Sequence, residues 1–75
     1  MPNPQPARAL AAKLNPIISP VGSQDTLSNC AALVDTMGFL LSSSANVAPD
    51  DLSSFHRVTG AISAAIYFEL EASHA

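Results

Sequence analysis

The chain has 75 residues, 48% of them hydrophobic and 12% charged, with a formal net charge of −3 at pH 7. That length supports one small domain, and a single cysteine, Cys30, excludes an intrachain disulfide. Cys30, His56 and His74 are the only non-carboxylate metal ligands and share no paired spacing, so a structural metal is not expected, and an oligomeric interface is left as the means of stabilising so short a fold.

From the N-terminus, Pro2, Pro4 and Pro6 favour extended or polyproline backbone. The segment carries neither a basic n-region nor an apolar h-region, so no secretory signal is expected, and the unpaired cysteine fits a cytoplasmic protein. Ala7 to Leu14 has strong helix propensity but is too short to hold a helix alone. Asn15-Pro16 ends it, and Ile17 and Ile18 fall in an extended linker before Pro20-Val21-Gly22. Residues 1–22 thus read as a proline-containing leader with a short helix. It is either a mobile leader or an arm that lays Leu10, Leu14, Ile17 and Ile18 on the hairpin or on a neighbouring subunit. The Met1–Pro6 run reads as a tail rather than a proline-recognition ligand, since no basic residue lies closer than Arg8.

Residues 23–75 form a second unit, a helical hairpin. Ser23 is a good N-cap, and Asp25 complements the dipole in the first turn. Leu27, Cys30, Val34, Met37 and Leu41 then repeat at three-four spacing, and Leu33 and Leu40 widen that stripe to about half the helix circumference. Phe39 falls on the opposite side. Ser42-Ser43-Ser44 weakens helix propensity, with Asn46 as C-cap. Pro49 suits a first helical position, followed by Asp50 and Asp51 at the positive end of the dipole. In this second helix Leu52, Phe55, Val58, Ile62, Ile66 and Leu70 make the main stripe, while Tyr67 and Phe68 lie off it. Two helices joined by so short a turn pack antiparallel.

The expected fold is therefore all-α: an antiparallel hairpin with a short N-terminal helix or arm, dimerising into a four-helix bundle. Leu27, Leu33, Val34, Met37, Leu41, Leu52, Phe55, Ile62 and Ile66 are the expected core of the hairpin or of the dimer. A lone hairpin leaves Leu33, Phe39, Leu40, Tyr67 and Phe68 wet, and each gains about 1.5–3 kcal/mol on full burial. Phe39, Leu40, Tyr67 and Phe68 are the expected partner-binding residues.

The charge pattern speaks against direct contact with nucleic acid. Arg8 and Lys13 give the leader +2, whereas the hairpin sets Arg57 alone against Asp25, Asp35, Asp50, Asp51, Glu69 and Glu71, or −5. The longest uncharged apolar stretch, 58–68, is well short of the ~20 residues of a membrane span. His56-Arg57 is the one site-like pair in the hairpin, but no nucleophile or second base has a place beside it. Cys30, between Leu27 and Val34 on the stripe, reads as a small buried hydrophobe rather than a reactive thiol. Asp50 and Asp51 serve the dipole rather than a metal. Glu69 falls nearly on the apolar stripe, either where packing stops or where it meets Arg57 of another subunit.

The leader-to-helix junction Pro20-Val21-Gly22-Ser23-Gln24-Asp25-Thr26-Leu27, followed by Ala31, Leu33 and Val34, resembles short bacterial proteins common in pseudomonads, built of a proline-containing leader and a helical hairpin. Thr26 and Cys30 depart from that pattern, standing where alanine-like residues are expected, and the second helix lacks its His-Leu-type core. The resemblance implies a fold and no activity or cofactor. The functional expectation is a non-enzymatic interaction module, regulatory or adaptor-like, acting as a homodimer and on a heterologous protein partner through apolar helix faces. The alternatives are a small acidic inhibitor of phage type that blocks a nucleic-acid-handling protein, and a small-molecule binder with a pocket between the helices.

Overall fold

A computed structural model describes residues 5–43 and 48–74. It contains three helices, α1 (Gln5–Leu14), α2 (Ser23–Ser43) and α3 (Pro49–His74), and no strand among the described residues. The long helices α2 and α3 pack against each other, as the expected hairpin requires. The Asn46 cap and most of the hairpin turn lie outside the described residues, as does the leader before Gln5.

Helix boundaries follow the local chemistry, with small shifts. The Ala48 carbonyl accepts the amides of Asp51 and Leu52 (3.0 and 3.1 Å), so Pro49 takes the first helical position, where its missing N–H costs nothing. At the start of α2 the Gly22 carbonyl accepts the Thr26 amide at 3.3 Å. The cap position is therefore Gly22, and Ser23, expected to cap, is the first helical residue. Helix α1 begins at Gln5, two residues before the expected Ala7, because Pro6 in a first turn forfeits no intrahelical bond.

Between α1 and α2 the chain turns rather than extends. The Ile18 amide donates to the Asn15 carbonyl at 3.0 Å, with Pro16 at the second turn position. The Asn15 side-chain oxygen accepts the Ile17 amide at 3.1 Å, while its amide group donates to the Ala61 carbonyl of α3 at 2.9 Å. Asn29 of α2 donates to the Ile17 carbonyl at 2.9 Å. The arm is thus fastened to both long helices by asparagines that satisfy backbone carbonyls at a bend. Of the two readings of the leader, the described part follows the packed one.

The core is small. Ile18, Cys30, Ile62 and Ala65 are its buried apolar residues, lined by Ala11, Ala12, Ile17, Leu33, Met37, Val58 and Phe68. Among the described residues equally many buried ones are polar or charged, namely Arg8, Ser19, Thr26 and Glu69. The arm inverts the usual rule for an amphipathic helix. Ala11 and Ala12 pack on the core, with Arg8 one turn earlier, whereas Leu10 and Leu14, which only the packed-arm reading laid on the hairpin or a neighbouring subunit, are 60% and 80% exposed. α1 makes no close backbone approach to either long helix, and the long Arg8 bridges the gap.

Candidate functional site: a polar clasp and an open apolar face

Two features stand out on the described molecule, on opposite sides of the hairpin. The first is the clasp beneath the arm. Arg8 donates from both terminal nitrogens to the two Glu69 oxygens, each at 2.8 Å, and again to the Ser19 carbonyl at 3.1 Å. Its guanidinium carbon lies 5.2 Å from the centre of the Phe68 ring, within cation–π range. The two side chains are 11% and 6% exposed, so this is a buried, bidentate ion pair.

Thr26 organises the remainder. It is fully buried, and its hydroxyl oxygen accepts the Ser19 amide at 2.9 Å. Its one proton has two acceptors in reach, the Gly22 carbonyl at 3.4 Å and the Glu69 carboxylate, of which the charged group is the stronger. Hydrogen bonds from Arg8 hold the Glu69 carboxyl below its ordinary range; burial opposes them and Thr26 assists. The same bond raises Arg8. Burial, with the Glu69 charge behind it, pushes the Cys30 thiol up and disfavours the nucleophilic thiolate. No buried side-chain nitrogen or oxygen among the described residues lacks a partner.

Glu69 therefore neither marks the end of packing nor waits for Arg57 of another subunit; it takes Arg8 of its own arm. Phe68, expected to contact a partner, is half-buried against the core and under the Arg8 guanidinium. Phe39, Leu40 and Tyr67 are exposed, but they project in different directions around α2 and α3. His56 and Arg57 are both exposed. Among the described residues, no three His, Cys, Asp or Glu side chains come together as a metal-binding group.

The second feature is the side of the hairpin turned away from the arm. Of the expected core, Ile62 is buried and Leu33, Met37 and Phe55 are partly buried. Leu27, Val34, Leu41, Leu52 and Ile66 remain exposed in the single chain. At 100° per residue Leu27, Val34 and Leu41 run down the flank of α2 opposite Asn29, which holds the arm, and Leu52, Ile66 and Leu70 run down the matching flank of α3. Between them lies an apolar groove of about 350 Å³ lined by Val34, Met37, Gly38, Leu41, Thr59 and Ile62, with no arm residue in its wall.

Arg8, Thr26, Ser19 and Asn15 were not legible as functional positions. The available signal was Glu69 itself, since an acid on an apolar stripe demands a cation, and Arg8 is one of only three bases in the chain.

Compared with known families, curated proteins and solved structures, the chain matches none. No helix among the described residues is long and apolar enough to cross a membrane.

Proposed function

We propose that this chain is a non-enzymatic interaction module, a helical hairpin that works as a homodimer in a four-helix bundle and docks on a heterologous protein partner. The observation that carries the reading is the imbalance between core and surface. Among the described residues four apolar side chains are buried, while twelve large hydrophobic ones are exposed, Val34 at 53% and Phe39 at 68% among them. Association removes such surface from water and supplies the stability that so small a core lacks.

The clasp supports a structural rather than a chemical role. Its acid is paired with its base, burial pushes the nearby Cys30 thiol up, and no buried side-chain nitrogen or oxygen among the described residues lacks a partner. The acidic-inhibitor reading is weakened, because Glu69, one of six acids, is paired with Arg8 and does not contribute to an acidic surface. Cytoplasmic residence remains the expectation that the unpaired, buried Cys30 favours.

Light scattering on a size-exclusion column, over a hundredfold or so in concentration, tests the reading. The expected mass is twice 7.7 kDa, with a melting temperature that rises with concentration. A 7.7 kDa monomer at every concentration would refute self-association.

A further inference from the structure

We infer that the self-association face is the side of the hairpin opposite the arm, covered by a second copy of this chain. The inference rests on the homodimer reading above and adds which surface is used. Three observations single out this face from the other exposed apolar residues.

The first is size. The exposed fractions of Leu27, Val34, Leu41, Leu52, Ile66 and Leu70 run from 38% to 53%, and together they present roughly 500 Å² of surface along the two flanks of the apolar groove. With Ala31, Gly38, Thr59 and Ser63 filling the spaces between them, the face approaches the about 800 Å² per partner of a stable interface. Leu10 and Leu14 on the arm, or Phe39 and Leu40 on the outer parts of α2, offer isolated pairs instead.

The second is charge. Of the three basic and six acidic residues only Asp35 borders this side, at the outer edge of α2 beside Ala31 and Gly38. A face with a single charge at its edge offers little to an oppositely charged partner and little repulsion to its own copy, as a two-fold, self-complementary contact requires. Its one polar lining residue in the groove, Thr59, gives its hydroxyl to the Phe55 carbonyl at 2.8 Å and so asks nothing of a partner.

The third is Gly38. It sits inside α2 on the groove wall, and a Cβ there would meet nothing within 4 Å. A glycine in mid-helix weakens the helix relative to alanine, and the open space over Gly38 is room in which a second helix can approach the groove closely.

The test compares wild type with Val34→Glu, Gly38→Leu and, on the arm, Leu14→Asp by sedimentation equilibrium, with circular dichroism to confirm folding. The expected result is a wild-type dimer whose dissociation constant rises at least about a hundredfold in Val34→Glu, because a buried unpaired charge opposes association. Gly38→Leu weakens it as well, and Leu14→Asp leaves it unchanged. Gly38→Leu adds no charge and serves as the readout if Val34→Glu does not fold. A dimeric wild type whose Val34 and Gly38 variants dimerise equally well would overturn this face while leaving self-association standing. A monomeric wild type would remove the homodimer reading and this inference together.

Discussion

Arg8 and Glu69 stand 61 positions apart in sequence and meet in a bidentate pair, 2.8 Å at each contact, over the ring of Phe68. That pair closes the N-terminal arm over the hairpin and is among the most buried polar contacts in the molecule. Removing one partner strands the other charge. Arg8→Ala or Glu69→Ala is expected to cost about 3 kcal/mol in urea unfolding. The double substitution Arg8→Met with Glu69→Leu keeps the volume and removes both charges, and should return to within about 1 kcal/mol of wild type. Equal losses in the single and double variants would show that the contact is not coupled.

The same pair sets an acid limit. The Glu69 carboxyl is held low by Arg8, so the unfolded chain binds its proton first as the pH falls. Its contribution is complete above the ordinary carboxylate value of about 4.3 and is lost progressively as the pH drops toward the lower, folded value. Melting temperatures taken from pH 7 to pH 3 should fall more steeply in wild type than in Glu69→Gln. Arg8 carries the opposite sign: its raised value would be felt only at extreme alkaline pH.

Cys30 reports on the arm. It is 5% exposed in the core that the arm covers, and its thiol is pushed up. Alkylation by iodoacetamide at pH 8 should be slow in the native protein and complete after denaturation. In Arg8→Ala the labelling rate should rise by about tenfold or more, since local opening becomes easier. An unchanged rate would place the opening that exposes Cys30 somewhere other than the arm.

Thr26 offers a separate check on the clasp. Thr26→Val preserves shape but leaves the Ser19 amide without its acceptor at 2.9 Å, a loss of about 1–3 kcal/mol. Thr26→Ser keeps the oxygen and should lose less. Thermal melts of the two variants decide whether the hydroxyl or the methyl matters more.

These polar contacts are the part of the molecule that periodicity could not reveal. The apolar spacing of Leu33, Met37, Val58 and Ile62 and the Pro49 start signal made α2 and α3 readable, since each helix must bury one face. The arm obeyed a different logic. Its leucines point outward, and its contacts depend on Asn15, Asn29 and Arg8 reaching carbonyls and a carboxylate far away in sequence. Hydrogen-bond partners at such separations leave no pattern in a single chain. Thr26, which accepts the Ser19 amide, and Cys30, packed in the core with Ile18, mark the place where the arm lands.

The length of chain between Arg8 and Glu69 also orders events in time. The α2–α3 hairpin forms across a short connection, whereas the clasp must close the whole span between them, at greater entropic cost and with no close backbone contact between α1 and either long helix. The arm is therefore expected to close late in the folding reaction, after its transition state. Substitutions at Arg8 will then leave the refolding limb of a chevron where it was and raise the unfolding limb. In kinetic terms the clasp is a brake on unfolding, setting how long the folded chain lasts rather than how quickly it is reached.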